Sequence, residues 1–118
     1  MTSDSDNLPL LDQAVLDGLL GSVDIADMPI LMRSLEQEIG AAEIDIIEVA
    51  EKLDWDLVEV KTHALKGATA SFGALRLSAL LLAMEENARE DQNTVVLSEQ
   101  CKRLSVLIDQ TRKVFGWS

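Results

Sequence analysis

One apolar pattern limits most strongly what this sequence can fold into. Within residues 28–53, apolar side chains recur every three or four positions for more than six helical turns, at Leu31, Leu35, Ile39, Ala42, Ile46, Val49 and Leu53. Such a stripe predicts a long amphipathic helix that packs along one face against other helices. The sequence shows no alternation with a period of two, which would indicate strands. It therefore predicts an all-α protein.

Similar stripes predict four further helices. The first spans residues 9–20, a central helix follows Asp54 and ends at Gly73, a fourth spans residues 75–89, and a fifth ends near Gly116. The short connection at residues 52–56 is typical of antiparallel neighbours, so the second and central helices should lie side by side. We therefore expect an antiparallel four-helix bundle with an additional short N-terminal helix. Residues 1–7 should be a disordered tail, and residues 8–118 the helical domain.

Charge excludes two classes of partner. The chain of 118 residues has 21 acidic and 10 basic side chains, so its net charge is −11. That charge repels phosphate backbones and anionic membrane surfaces unless the basic residues cluster. They do not cluster, since Lys61, Lys66 and Arg76 are the only cations expected near the one histidine. We therefore expect no nucleic-acid partner and no membrane association.

Cysteine usage and the N-terminal sequence bear on the cellular compartment. Cys101 is the only cysteine, which excludes an intrachain disulfide and a multi-cysteine metal site. It falls on the apolar stripe of the fifth helix, where a buried structural thiol is the expectation and a reactive thiol the alternative. Residues 1–7 do not resemble a secretory signal, and the apolar run at 77–84 is too short to cross a bilayer. We expect a cytoplasmic protein.

Residues 57–73 contain the only histidine, His63. On a helix of about 100° per residue, His63 lies roughly opposite a predicted apolar arc. The arc comprises Leu57, Ala64, Leu65, Ala68 and Phe72. Lys61 projects near the centre of this arc, so we expect its stem to pack while its ammonium group reaches the surface. His63 itself should face solvent, with Lys66 and Gly67 one turn away.

Gly67 is unusual because glycine within a helix costs about 1 kcal/mol relative to alanine. Its missing side chain leaves room beside the His63 imidazole for a phosphoryl group and for the backbone of another protein, although close helix packing is an alternative reason. Lys66 can meet the negative charge of such a group with a hydrogen bond. A neutral imidazole, with a reference pKa of about 6.5, is a good nucleophile near neutral pH.

These residues carry a family resemblance. The run His63-Ala64-Leu65-Lys66-Gly67, followed by Gly73-Ala74 and then by Leu77, Leu80 and Glu85, resembles the histidine-containing phosphotransfer (HPt) domain. The flanking helices fit the size and order of that family, so the resemblance covers nearly the whole chain. Two further runs are similar to small stand-alone bacterial phosphorelay proteins of quorum sensing, namely residues 70–74 and 115–117.

The resemblance implies a phosphorelay intermediate. Nε2 of His63 would accept a phosphoryl group from the aspartyl phosphate on the receiver domain of a hybrid sensor kinase, and would pass it to the aspartate of a response regulator. The aspartate, the lysine and the Mg²⁺ of this chemistry would belong to the partner receiver domain. We therefore expect a monomer with no cofactor, no metal site, no ATP site and no independent catalytic activity.

Within this scheme each candidate residue has an expected role. His63 is the phosphoryl acceptor and donor, Lys66 stabilises the charge of the phosphoryl group, and Gly67 provides clearance. Receiver docking needs a small apolar patch within a polar rim, which this chain can supply with Val60, Ala64, Ala70 and Ser71. Glu59 is a further partner-facing residue; it either orients the imidazole or simply faces solvent.

Two other functions compete with this hypothesis. In an enzyme, His63 would act as a general base oriented by Glu59 or Asp56, but the sequence shows no second convergent group and no nucleophile on another segment. In a phosphate-independent helical adaptor, His63 would be an inert surface histidine. Activity on a small molecule without any receiver would favour the enzyme, and unchanged signalling after His63→Ala would favour the adaptor.

Overall fold

A computed structural model describes residues 8–117, so the tail predicted at residues 1–7 lies outside the described residues. The described chain contains five α-helices, a 3-10 turn at Ile25–Asp27 and a π-helical turn at Asn87–Asp91. The α-helices are α1 (Gln13–Gly21), α2 (Met28–Glu51), α3 (Trp55–Ser71), α4 (Leu75–Glu86) and α5 (Thr94–Phe115). No strand occurs within residues 8–117, and the prediction of an all-α protein is confirmed.

The four long helices form the bundle. α3 packs against both α2 and α4, and α5 closes the ring by packing against α4 and α2. Connections of a few residues join successive helices, so neighbours run antiparallel. The centre of the bundle contains fully buried aliphatic side chains from each helix, including Ile39, Ile46, Val58, Leu77, Leu81, Leu104 and Ile108. The predicted four-helix bundle with an additional short N-terminal helix is therefore confirmed.

The first helix begins later than the sequence pattern predicts. Residues 9–20 were expected to be helical, whereas α1 starts at Gln13 because the Asp12 carboxylate accepts hydrogen bonds from the backbone N–H groups of Ala14 and Val15. Ahead of this cap, residues 8–12 form a strap across the bundle. The Arg76 guanidinium group donates to the carbonyl of Leu8 at 2.8 Å.

The strap lies on the corner between α3 and α4. The backbone N–H of Asp12 donates to the carbonyl of Gly73 at 2.7 Å. Gly73 has a φ of +87°, and a Cβ atom there would lie 2.6 Å from the carbonyl oxygen of Asp12. Both observations require glycine at this position, so the sequence correctly placed the end of the central helix at Gly73.

The buried face of α3 differs from the predicted apolar arc. Leu57 and Ala64 are exposed, whereas Thr62 and Thr69 are fully buried. Their hydroxyl groups donate to carbonyls of α3 itself, Thr62 to Val58 at 2.7 Å and Thr69 to Lys66 at 3.1 Å. Threonine satisfied in this way is an acceptable core residue, which a hydropathy pattern does not anticipate. The core face of α3 is thus Val58, Thr62, Leu65 and Thr69, continued by Phe72.

Three smaller predictions are also corrected. Lys61 lies at the edge between α2 and α3 instead of near the centre of the buried face. Its side chain is nevertheless only 35% exposed and its Nζ is 3.9 Å from the Asp45 carboxylate, as expected for a packed stem with an ammonium group at the surface. Leu53 lies beyond the end of α2 with a φ of +54° and is 47% exposed, so it does not continue the α2 stripe. The fourth helix ends at Glu86 instead of residue 89, because the chain widens into the π-helical turn.

The π-helical turn is held by a buried amide. The Asn87 side chain accepts from the backbone N–H of Asn93 at 3.0 Å and donates to the carbonyl of Asn93 at 3.1 Å. Asn93 in turn caps α5 by accepting from the N–H of Val96 at 3.0 Å. Asn87 therefore sets the register between α4 and α5. No helix within residues 8–117 has the length and apolarity that crossing a membrane requires.

Candidate functional site

The structure places the imidazole of His63 on the outer surface of α3, at its edge with α4. The side chain is 66% exposed, and its Nδ1 atom lies 2.9 Å from Oε2 of Glu85 on α4. His63 and Glu85 are 22 residues apart in sequence, and the antiparallel packing of α3 and α4 brings them together.

Glu85 is the buried centre of the site. Its side chain is only 7% exposed, and its second oxygen, Oε1, accepts a hydrogen bond of 2.7 Å from the ammonium group of Lys66. One carboxylate thus contacts both candidate polar residues of α3, each with a different oxygen atom. The Lys66 side chain is itself 25% exposed, so it is only partly covered by the surrounding protein.

Electrostatics keep Glu85 ionised. The hydrogen bond from Lys66 lowers the pKa of Glu85 below its ordinary value of 4.5, burial opposes that effect, and the hydrogen bond with His63 lowers it further. An ionised carboxylate can only accept hydrogen bonds, so the Nδ1 atom of His63 must be the protonated nitrogen. In the neutral imidazole, Nε2 then carries the free lone pair.

Glu59 was the sequence-based candidate for orienting the imidazole, but the structure shows the hydrogen bond to His63 coming from Glu85. The Glu59 carboxylate instead lies 4.0 Å from the guanidinium group of Arg89 in the π-helical turn. The same guanidinium group is 3.7 Å from Glu85. Glu59, Glu85 and Arg89 therefore form an ionic cluster behind His63.

Glu85 was part of the quoted motif, but sequence reasoning did not assign it a role. A signal was present in the fourth helix, because Glu85 falls on the same helical stripe as Leu77, Leu81 and Met84, which are all fully buried. A carboxylate on such a stripe needs a charged or hydrogen-bonding partner. That partner can be identified only from the face of α3 that packs on α4 and from the register between the two helices.

Gly67 lies in open space. A Cβ atom at this position would have no neighbouring atom within 4 Å, so close helix packing does not account for the glycine. Ala64, Ala70 and Ser71 are also exposed, and Val60 is 62% exposed. The Ser71 hydroxyl donates to the carbonyls of Gly67 and Ala68 within α3. The surface around His63 is thus built from small side chains and one exposed valine.

A shallow depression adjoins the imidazole between α3 and α4. Its volume is about 550 Å³, and its lining residues are Asp56, Glu59, Val60, His63 and Glu85. Of these, Val60 and the His63 side chain are largely exposed. A second protein can therefore approach the exposed imidazole without rearrangement of the bundle.

Two other features concern metal and thiol chemistry. Across the part of the chain that the structure describes, no three His, Cys, Asp or Glu side chains are grouped so that they could hold a metal ion. Cys101 is partly buried against the core on α5. Burial, with a smaller contribution from the charge of Glu51, raises the pKa of the Cys101 thiol, which disfavours the reactive thiolate.

Comparison with known proteins agrees with this geometry. The family model described as Hpt domain matches residues 22–113. The phosphorelay protein LuxU of Vibrio cholerae serotype O1 is 28% identical over 108 residues, which cover 90% of this chain and 93% of that protein. No solved structure gives a significant match. The resemblance seen at residues 63–67 is confirmed, and the chain belongs to the Hpt domain family.

Proposed function

We propose that this protein is a phosphorelay intermediate in which His63 carries the phosphoryl group. The observation that supports this most directly is the hydrogen bond between Nδ1 of His63 and the buried Glu85 carboxylate, because it leaves Nε2 as the free nitrogen on an exposed side chain. Membership of the Hpt domain family and the similarity to a protein named as a phosphorelay protein support the same function.

The reaction follows from these positions. The Nε2 lone pair attacks the phosphorus of an aspartyl phosphate, the new N–P bond forms, and the bond from phosphorus to the aspartate oxygen breaks with its electrons on the departing carboxylate. Positive charge develops on the imidazole as the bond forms. The Glu85 carboxylate, already accepting from Nδ1, stabilises that charge and fixes the orientation of the ring. The reverse sequence delivers the phosphoryl group to another aspartate.

Lys66 and Gly67 serve the phosphoryl group itself. The Lys66 ammonium group, one helical turn from His63 and partly accessible, can donate to a phosphoryl oxygen while it remains close to Glu85. The open space above Gly67 admits the phosphoryl group and the receiver loop that bears the aspartate. Val60, Ala64, Ala70 and Ser71 then contact the receiver around the reacting atoms.

The partners follow from the chemistry. We assign the phosphoryl donor to the receiver domain of a hybrid sensor kinase and the acceptor to the receiver domain of a response regulator, with Mg²⁺ supplied on the receiver. The chain acts as a monomeric cytoplasmic carrier without an ATP site, and the direction of net flow depends on which receiver is phosphorylated.

The test uses the fact that His63 is the only histidine. A ³²P-labelled, Mg²⁺-loaded receiver domain is mixed with wild-type protein and with His63→Gln, and the label is followed on gels after acid and base treatment. We expect acid-labile, base-stable label on the wild type alone, as for an N-linked phosphoramidate. An acid-stable label, or equal labelling of His63→Gln, would contradict the assignment.

A further inference from the structure

Helix α3 buries two threonines and leaves two large apolar side chains exposed. Thr62 and Thr69 are fully buried, whereas Leu57 is 41% exposed and Val60 is 62% exposed. Burying a leucine or valine side chain stabilises a protein, so folding alone gives no reason for this arrangement. Leu57, Val60 and Ala64 are spaced by three and four residues and therefore share one face of α3. We call these three residues the apolar ridge.

The apolar ridge lies beside the imidazole, with Val60 at the depression next to His63 and Ala64 on the side of α3 that faces α2. Between the two helices is a second depression, smaller than the one at His63, lined by Glu38, Ala42, Asp45, Lys61, Ala64 and Leu65. Glu38 is exposed, and the Asp45 side chain is 55% exposed. The α2 side of the ridge thus carries two surface carboxylates, of which Asp45 has the Lys61 ammonium group as a neighbour.

The opposite side of the ridge is also acidic, since Asp56 and Glu59 line the depression at His63. The cations in this region already have carboxylate neighbours. Lys61 pairs with Asp45 at 3.9 Å, and Lys66 pairs with Glu85 at 2.7 Å. Glu59 in turn lies 4.0 Å from Arg89, so the exposed carboxylates of Glu38 and Asp56 carry the remaining negative charge on the two sides of the apolar ridge.

We propose that this surface selects receiver domains that present an apolar centre within a basic rim, and that Glu38 of α2 is a specificity-determining residue. The proposal rests on the proposed function and adds the chemistry of the partner. Apolar contact on the ridge supplies the buried centre of a transient interface. The flanking carboxylates speed association with a basic rim, and like-charge repulsion disfavours receivers with an acidic one.

Charge reversal of Glu38 provides the first test, with Glu99→Lys as the matched control. Glu99 is an exposed glutamate on α5, with a side chain 71% exposed, and its reversal changes the net charge equally. For each variant, the rate of transfer from the cognate phosphorylated receiver is divided by the rate of His63 phosphorylation by phosphoramidate, a small donor that needs no docking. We expect Glu38→Lys to lower this ratio about tenfold at low salt and less at high salt.

Truncation of the apolar ridge provides the second test. Val60→Ser is compared with Val106→Ser on α5, where the valine is 54% exposed. We expect Val60→Ser to lower the same ratio about fivefold, independently of salt, and Val106→Ser to match the wild type. An equal ratio for Glu38→Lys and Glu99→Lys, or faster receiver transfer with Glu38→Lys, would overturn the basic-rim proposal. Failure of wild-type His63 to accept phosphate even from phosphoramidate would instead overturn the proposed function.

Discussion

Glu85 and Asn87 are two polar residues that lie close together in the sequence and are equally buried, each 5% exposed as a whole residue. Their partners are nevertheless of opposite kinds. Glu85 contacts charged or titratable side chains, above all His63 and Lys66, of which the imidazole is largely exposed. Asn87 forms its hydrogen bonds chiefly with the backbone of Asn93, at the turn that leads into α5.

The difference shows that a buried polar residue can support the reaction at one position and the fold at another. Backbone partners are fixed by the fold, so the amide of Asn87 defines one geometry for the turn. Side-chain partners can exchange, so the hydrogen bond between Glu85 and Lys66 can weaken when a phosphoryl group arrives at His63. We therefore expect substitutions at Asn87 to change stability and substitutions at Glu85 to change the reaction.

The largest expected effect is on folding. Asn87→Ala leaves the N–H and the carbonyl of Asn93 without their side-chain partner, and we expect it to lower the free energy of unfolding by about 2 kcal/mol. Urea denaturation followed by circular dichroism measures this change. The exposed neighbour Glu86 supplies the control, Glu86→Ala, which should stay close to the wild type. Slower phosphorylation of the folded Asn87→Ala protein by phosphoramidate would contradict the distinction between the roles of Asn87 and Glu85.

The next effect is on the reaction. Glu85→Gln retains the shape of the side chain but removes the charge that holds Nδ1–H, and we expect His63 phosphorylation by phosphoramidate to slow about tenfold. Nitrogen-15 NMR of the imidazole gives a second readout, since the wild type should show the Nδ1–H tautomer and Glu85→Gln a mixture of tautomers. A variant with a wild-type rate and a wild-type tautomer would show that Glu85 only supports the fold.

A smaller effect concerns pH. The folded-state pKa of Glu85 lies below 4.5, so the contribution of this carboxylate to stability is complete above that pH and is lost as the pH falls through the lowered value. As the pH falls below 4.5, the urea midpoint of the wild type should therefore fall further than that of Glu85→Gln. The urea midpoint of Asn87→Ala should fall as steeply as that of the wild type, because an amide does not titrate. Parallel slopes for all three proteins would contradict this expectation.

The smallest effect tests the backbone beside the site. Alanine fits the open space at Gly67 and favours the helix, so Gly67→Ala should raise the free energy of unfolding by up to about 1 kcal/mol. Transfer from a receiver should nevertheless become slower, because the added methyl group occupies the clearance beside His63. Gly40→Ala is the contrasting variant, since its Cβ would lie 3.0 Å from the Arg112 guanidinium group. Faster transfer with Gly67→Ala would contradict the clearance role.

The sequence predicted the fold better than the details of the site. Apolar periodicity is a property of each helix alone, so it identified the four long helices and the turn at Gly73. Glu85 could not be assigned to His63 in this way, because their contact depends on the register between α3 and α4. The core face of α3 was missed for a related reason, since Thr62 is buried only because its hydroxyl bonds within the helix. The start of α1 was also missed, because it depends on the cap at Asp12 and on the hydrogen bond from the Asp12 N–H to the distant carbonyl of Gly73.

The tight corner at Gly73 also has a kinetic consequence. His63 and Glu85 occupy the two arms of one helical hairpin, so the chain entropy lost in bringing them together is that of a short loop. Local contacts of this kind form early in folding, before distant segments have been ordered. The hairpin that carries the imidazole should therefore acquire its native pairing before the strap of residues 8–12 docks across the corner, and amide exchange should be slowest in the hairpin and fastest in the strap.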